Sequence, residues 1–451
     1  MDVELIPITD MPNKWIIYRP RTGLAFIGNH VMADLIRQIV TDSTHSESLP
    51  EQIAHFLNSV GFFTPDPPPP DNDFGAFRPR TAVLLMTNQC QLRCTYCYAA
   101  AGESNPQELT TELGFAAIDH VYQNAVEQGV SQFEVSFHGG GEPTFNWKTL
   151  VACAEYARQK PLRARLSLTS NGIWSRKQVQ WVVNNLDGLS LSLDGSPATQ
   201  DHHRPFMSGK GSSKWVMRTV EELDYHEFSY GIRMTATAPW EQLPEDVRFL
   251  CENTKCSSMQ VEPAFNTTRG GHGDYRDDES SAFIAAYMEA FDIAERAGRF
   301  LHYSGARVGT ITPTFCTAPV NALIVNGEGS LVTCYEVASP AHALSRISTI
   351  GKVENQQVRV DKPARDNLVN LMSERRDACK DCFCYWSCAG DCYARVFRDE
   401  PGGHQIRGTR CKINRSLTEQ LLLRRIADSG GVWNKSVRSQ RVAQTDSVIT
   451  I

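Results

Sequence analysis

Between residues 81 and 262 the chain alternates short apolar runs with longer amphipathic stretches. Apolar runs rich in β-branched and aromatic residues predict strands at Thr81–Met86, Gln132–Phe137, Ala164–Thr169, Gly188–Leu193, Tyr230–Ala236 and Ser258–Glu262. Apolar positions at helical spacing predict helices at Glu112–Glu127, Lys148–Arg158, Arg176–Asn185 and Lys214–Leu223. Six strand–helix repeats imply an α/β fold with a parallel sheet. The strands are short and closely spaced, which favours a partial (β/α)6 barrel over an open doubly wound sheet. Further helices are predicted at Glu279–Gly298 and Leu417–Ala427.

The first 64 residues have a different pattern. Trp15–Tyr18 and Leu24–Ile27 flank Arg19-Pro20-Arg21-Thr22-Gly23, a hairpin signal. Val31, Leu35, Ile36 and Ile39 follow at helical spacing, and a second helix is predicted over Leu49–Val60. Strands followed by helices over this length predict a small winged-helix-like module at 1–64; an N-terminal packing extension is the alternative. Pro65-Asp66-Pro67-Pro68-Pro69-Pro70-Asp71 opens a stiff linker, 65–80. From 429 the chain is polar and is expected to form a mobile tail to 451.

Composition narrows the functional classes. The 451 residues carry a formal net charge of −6, which excludes the basic footprint of a nucleic-acid-binding protein. No apolar run approaches the length of about 18 residues needed to span a membrane. The N-terminus, Met1-Asp2-Val3-Glu4-Leu5, lacks the basic and apolar regions of a secretory signal, so the cytoplasm is the expected compartment. Fourteen cysteines in a cytoplasmic chain point to metal or catalysis, because disulfides are disfavoured there.

Three of them, Cys90, Cys94 and Cys97, fall in one short loop after the first predicted strand. Three thiolates at C-x3-C-x2-C spacing can hold three irons of a 4Fe–4S cube and leave the fourth open. An open iron can chelate the amino and carboxylate groups of S-adenosylmethionine. Zinc, or three unrelated buried thiols, is the competing reading. With Tyr96 before the last cysteine, the motif resembles that of the radical S-adenosylmethionine superfamily, whose aromatic residue at this position lies near the adenine. In that class one electron breaks the C5′–S bond, and the product radical abstracts hydrogen from an unactivated C–H bond.

Other segments resemble the family in matching positions. His138-Gly139-Gly140-Gly141-Glu142-Pro143 follows the second strand and is similar to the element whose backbone and acid receive the methionine amino group. Ser170-Asn171-Gly172 and Ser192-Leu193-Asp194-Gly195 are similar to segments that contact the ribose or the methionine carboxylate. Asp201-His202-His203-Arg204-Pro205 resembles a family loop in which Arg204 pairs with a carboxylate; a loop that only covers the barrel mouth is the alternative. Thr235, Thr237 and Val261-Glu262-Pro263 end the fifth and sixth strands. All these segments lie at C-terminal strand ends, the face on which parallel barrels build their sites. His202, His203, Arg204 and Glu262 are positional candidates for an acid or base, and a buried salt bridge explains each equally well.

A second set comprises Cys316, Cys334, Cys379, Cys382, Cys388, Cys392 and Cys411, with Gly329 in a turn before Cys334. This resembles the seven-cysteine SPASM domain of peptide-modifying radical enzymes, here spanning 301–428, after a barrel at 81–300. The resemblance implies two auxiliary clusters. Cys379, Cys382, Cys388 and Cys411 would hold one, and Cys316, Cys334 and Cys392 the other, with its fourth ligand open. A tetrahedral zinc site at 379–392 is the rival on spacing alone. Cys384 is a spare in this neighbourhood, while Cys153, Cys251 and Cys256 read as inert buried thiols.

The resemblance implies a peptide or protein substrate and an electron donor such as flavodoxin or ferredoxin. The N-terminal module resembles the peptide-recognition domain fused to maturases of ribosomally made peptides. It would bind a leader peptide, for example as an added strand, while the core peptide is crosslinked or closed into a thioether. Alternatives are a protein oxidase like the anaerobic sulfatase maturases, a small-molecule radical dehydrogenase or mutase, and a cluster-bearing sensor or electron carrier.

Overall fold

A computed structural model describes residues 1–70, 74–265, 269–270, 277–396 and 409–435. The strands are β1 Glu4–Pro7, β2 Lys14–Arg19, β3 Leu24–Asn29, β4 Thr81–Leu85, β5 Gln132–His138, β6 Arg163–Ser170, β7 Gly188–Ser192, β8 Gly231–Ala236, β9 Ser258–Pro263, β10 Phe300–His302, β11 Ala322–Val325, β12 Ser330–Val332, β13 Thr349–Glu354, β14 Gln357–Val360 and β15 Val432–Asn434. They form two sheets. The larger has the order β10-β9-β8-β7-β6-β5-β4-β11-β12-β13-β14. It is parallel from β10 through β4 to β11 and antiparallel from there to β14.

The six expected barrel strands are β4 to β9, each ending within two residues of its expected bounds. The α/β class and the parallel sheet of a partial barrel therefore stand. Helices Thr111–Glu127, Trp147–Arg158, Arg176–Asn185, Ser213–Tyr225 and Gln242–Asn253 connect successive strands. Their starts are written locally: Thr110 caps the first, and Ser175 with Gln178 forms a capping box on the third.

Alternation along β6 to β9 separates two faces. Residues such as Leu166, Leu168, Leu191, Ile232, Met234, Met259 and Val261 pack under the helices in the main core. Their neighbours, among them Ser167, Thr169, Ser190, Ser192, Arg233, Gln260 and Glu262, are polar and half-buried on the inner face. β4 is apolar on both faces, because Val83 and Leu85 join Ile324, Val332 and Val337 of the C-terminal region.

The smaller sheet, β1-β2-β3-β15, is antiparallel throughout. One face packs Ile17, Leu24 and Phe26 on Ile36, Leu57 and Phe62 from helices His30–Thr41 and Glu51–Ser59 and the turn that follows. The other packs Ile6, Ile16 and Tyr18 on Phe383, Cys384, Cys388, Leu422 and Ile426. The N-terminal residues are thus docked against the cysteine-rich region.

The tail expectation is corrected where it can be seen. Val432–Asn434 pair with Leu24–Phe26, and Trp433 is buried against Tyr18. An indole and a free sheet edge outweigh the polar composition around them. Residues 436–451 lie outside the described residues. The proline-rich linker is also held: Asp66 accepts from Arg19 at 2.6 Å, and Arg19 donates to Thr64 O at 2.8 Å. The turn before Cys334 joins β11 to β12 as an antiparallel hairpin, whereas the short strands β1, β10 and β13 to β15 and helix Lys362–Asp377 were not expected.

Arg19 is fully buried, so removing its charge leaves Asp66 and two carbonyls without their donor. Arg19→Ala is expected to lower the unfolding free energy of the N-terminal unit by about 3 kcal/mol, read by denaturant titration of tryptophan fluorescence.

Candidate active site

The loop after β4 carries Cys90, Cys94 and Cys97, and backbone hydrogen bonds shape it. Arg93 N donates to Pro205 O at 2.7 Å, Thr95 N to His203 O at 2.9 Å, and Met207 N to Gln91 O at 3.0 Å. Arg93 returns its guanidinium to Cys90 O at 2.8 Å and Gly102 O at 3.1 Å. Arg269 donates to Cys94 O at 2.7 Å and Ala101 O at 3.0 Å, and Gly270 N to Cys97 O at 2.9 Å. Burial, then Glu142 and the neighbouring thiols, push Cys90 up to about 12. Burial pushes Cys94 up to about 11 against the nearby Arg204. Such thiols become thiolates only when a metal takes the place of the proton.

The Gly-Gly-Glu-Pro element packs backbone to backbone on the residues before Cys90. Gly141 N donates to Thr87 O at 2.9 Å, and Glu142 N to Gln89 O at 2.8 Å. A Cβ on Gly141 would lie 2.1 Å from Gln89 O, and one on Gly140 would lie 2.5 Å from Ala338 Cβ. Pro143 starts the short 3-10 turn Pro143–Asn146.

Glu142 is buried, and its carboxylate accepts four hydrogen bonds. They come from Thr144 N at 3.2 Å, Thr144 Oγ1 at 2.8 Å, Ser170 Oγ at 2.7 Å and Asn171 N at 2.8 Å. Burial raises its pKa and these donors oppose the rise. Asn171 then points Nδ2 at Gln91 Oε1, 3.3 Å away, and at Cys90 Sγ, 3.7 Å away. Gln91 occupies a free position of the cysteine motif, so no signal in the sequence marked it.

Asp194, at the end of β7, gathers a second group. Tyr96 Oη donates to its Oδ2, and Thr235 N donates to its Oδ1 at 3.0 Å. Arg204 Nη1 lies 3.9 Å from Oδ1 and donates to Tyr96 Oη at 2.8 Å. His203 Nδ1 lies 3.3 Å from Oδ2 without hydrogen-bond geometry, and Thr237 Oγ1 meets His203 Nε2 at 2.9 Å. Burial alone would raise the Asp194 pKa; His203 and Arg204 overcome it and hold the carboxyl below its usual range. Burial works against the Arg204 charge too, yet Cys94, Tyr96 and Asp194 hold its pKa well above normal.

Tyr96, Asp194 and Arg204 therefore meet, while His202 is exposed and stands apart. Ser192 closes β7 on the inner face, half-buried. Glu262 accepts from Gln260 Nε2 at 3.0 Å and Ser304 N at 3.1 Å.

The remaining thiols gather in two places. A cavity of about 70 Å³ is lined by Cys379, Cys382, Cys384, Cys388 and Cys411, together with Asp391, Asn414 and Arg415. Asn414 Nδ2 lies 3.6 Å from Cys388 Sγ, and Arg375 Nη2 lies 3.9 Å from Cys411 Sγ. Cys316, Cys334 and Cys392 lie in one another's electrostatic field, and burial raises all three. None of the fourteen cysteines is joined in a disulfide among the described residues. Among the described residues no three His, Cys, Asp or Glu side chains converge on a single ion. Five thiols around one cavity fit the soft donor set of an iron–sulfur cluster. Cys153, Cys251 and Cys256 lie outside both groups; Cys153 packs under Gly114.

Comparison with known proteins agrees with this geometry. The family profile described as "Radical SAM superfamily" matches residues 84–250. The sporulation killing factor maturation protein SkfB of Bacillus subtilis is 26% identical over 320 residues, 68% of this chain and 69% of that protein. Among solved structures, anSMEcpe with bound AdoMet aligns with a TM-score of 0.63 at 17% identity, covering 78% of this chain and 99% of that one. Streptococcus suis SuiB bound to precursor peptide SuiA aligns with a TM-score of 0.51 at 17% identity, covering 81% of each. The chain carries a radical SAM domain. It is a radical S-adenosylmethionine enzyme, a class that implies a 4Fe–4S cluster and the cofactor itself.

Because a methyl at Gly141 displaces Gln89, the residue before Cys90, Gly141→Ala is expected to lose about four irons per chain while far-ultraviolet circular dichroism stays unchanged. Iron and sulfide assays on anaerobically reconstituted protein check this.

Proposed function

We propose that this chain is a SPASM-type radical enzyme that matures a ribosomally made peptide. The observation that carries the reading is the gathering of the cysteines into three sets. One sits on a strand-end loop, and two lie in the C-terminal region, one of them against the N-terminal sheet and the other against β4 and β11. Cys90, Cys94 and Cys97 would hold the first 4Fe–4S cluster. Cys379, Cys382, Cys388 and Cys411 would hold one auxiliary cluster, and Cys316, Cys334 and Cys392 the other. When bound, the first cluster supplies the electron that cleaves S-adenosylmethionine, and the radical so made removes a substrate hydrogen.

The chain's own residues orient that reaction. The backbone of Gly140, Gly141, Glu142 and Pro143 would face the methionine amino group, with Glu142 itself bracing the turn. Asn171, Ser192 and Arg204 would receive the ribose and methionine carboxylate, and Tyr96 and Asp194 would border the adenosine. The half-buried polar face of β6 to β9 gives a peptide room and hydrogen-bonding partners.

The proposed units are a winged-helix-like peptide-recognition module at 1–64, a linker at 65–80, the barrel at 81–300 and the SPASM domain at 301–428. In the smaller sheet β3 is covered by β15, so β1 and β15 are the edges, and β1 is the edge we propose for a leader peptide to join. Support for a peptide substrate comes from SkfB, named as a maturation protein, and from SuiB, solved with a precursor peptide. A flavodoxin or ferredoxin in the cytoplasm would supply the electron. No helix of the described residues is long and apolar enough to cross a membrane.

Three clusters of cubane type predict about 11–12 irons per chain. About four irons with stoichiometric zinc would overturn the SPASM assignment. Asp194→Asn is expected to keep full iron content and to raise the dissociation constant for S-adenosylmethionine about tenfold, the loss of one charged hydrogen-bonding partner. Equilibrium dialysis against labelled cofactor measures it, and an unchanged constant would remove Asp194 from the cofactor site.

A further inference from the structure

The inner face of the large sheet carries a charge that the cofactor site does not use. Arg233 lies on β8, two residues before Thr235, and is half-buried. Its Nε donates to Ser190 Oγ on β7 at 3.1 Å. Among the described residues no carboxylate lies within ion-pair distance of its guanidinium. The other inner-face charges are matched. Arg165 stands 3.5 Å from Glu134, and Glu262 is taken by Gln260 and the Ser304 amide.

The remaining carboxylate whose field reaches these groups, Glu336, is paired with Arg395 at 2.7 Å. His138 and His302 also face inward, and burial, with the Arg233 charge adding to it, holds each down to about 4, so both are neutral at pH 7. The field of Arg233 reaches Tyr98, next to Cys97, and Tyr335 and Cys316 on the C-terminal side. Among the described residues neither terminal nitrogen of the guanidinium makes a hydrogen bond; only Nε does, to Ser190. A half-buried cation without a counter-ion is costly, and a carboxylate meeting a guanidinium in two parallel hydrogen bonds repays that cost.

We propose that Arg233 binds a substrate carboxylate, so that the peptide segment entering the inner face bears an Asp, a Glu or a C-terminal carboxylate beside the reacting residue. This rests on the peptide reading above. Its position below Thr235, inside the rim where Asp194, Tyr96 and Arg204 gather, assigns the carboxylate to substrate rather than to the cofactor's methionine.

The test uses full-length reconstituted enzyme with S-adenosylmethionine present and no reductant, so binding is read without turnover. The probes are two blocked pentapeptides that differ only in a central Glu or Gln, and free glutarate, each titrated calorimetrically. The Glu peptide is expected to bind wild type about tenfold more tightly than the Gln peptide. Arg233→Gln is expected to abolish the difference, and Arg233→Lys to retain part of it, with cofactor affinity and iron content unchanged in both.

Equal binding of the two peptides to wild type, or binding of none of the three probes, overturns the proposal. A loss of cofactor affinity in Arg233→Gln with peptide discrimination intact also overturns it and moves the carboxylate to the cofactor. Glutarate binding that depends on Arg233, with neither peptide bound, upholds the carboxylate site and rejects the peptide reading. Should Arg233→Gln fail to fold, the Lys variant and the wild-type comparison decide.

Discussion

The buried carboxylate of Glu142 is the joint on which the site depends. A charge removed from water needs a full set of donors, and it finds them in Thr144, Ser170 and the Asn171 amide. Satisfying it ties the C-terminal end of β5 to that of β6. The same turn is bonded through Gly141 and Glu142 to Thr87 and Gln89, which sets the path of the chain into Cys90. Asn171 completes the circuit by turning its side chain toward Cys90 Sγ. The position of a cysteine loop is thus decided by a carboxylate that touches none of its backbone between 90 and 97.

The sheet divides its work between two faces. Parallel strands flanked by helices are usually apolar on both sides. Here only the outer face of β6 to β9 is apolar, and the inner face is polar and half-buried. Such a surface stabilises the fold little, since its groups keep contact with water. It is suited to holding a polar chain whose backbone needs partners. β4, apolar on both faces, marks where the barrel strands pass into the C-terminal sheet and where the core is shared between them.

The N-terminal sheet is tied to this arrangement from behind. Ile6, Ile16 and Tyr18 pack on Cys384, Cys388 and the final helix, Thr409–Asp428. β15 then lies along β3, with Lys435 N bonded to Gly23 O at 3.0 Å and its Nζ to Gly309 O at 2.9 Å. A unit that looks detached in the sequence is therefore packed against two of the cysteines that line the thiol cavity, Cys384 and Cys388.

The sequence by itself determined the features that local chemistry writes. Strands β4 to β9 and their helices follow from periodicity, and helix starts from Thr110 and Ser175. Cys90, Cys94 and Cys97 are linked by a spacing only a loop of that length can hold. The seven later cysteines were marked by their spacing, and their division into two groups followed from the family resemblance alone. Tertiary structure alone decided the rest. β15 pairs with β3 across some four hundred residues, and strands of three or four residues carry too few positions to show a period. Gln91 and Cys384 sit at positions no motif marks. Arg233 is without a carboxylate partner among the described residues, while Glu134 and Glu262 find other partners. Each of these depends on which residues meet across the fold, and periodicity and spacing record only neighbours along the chain.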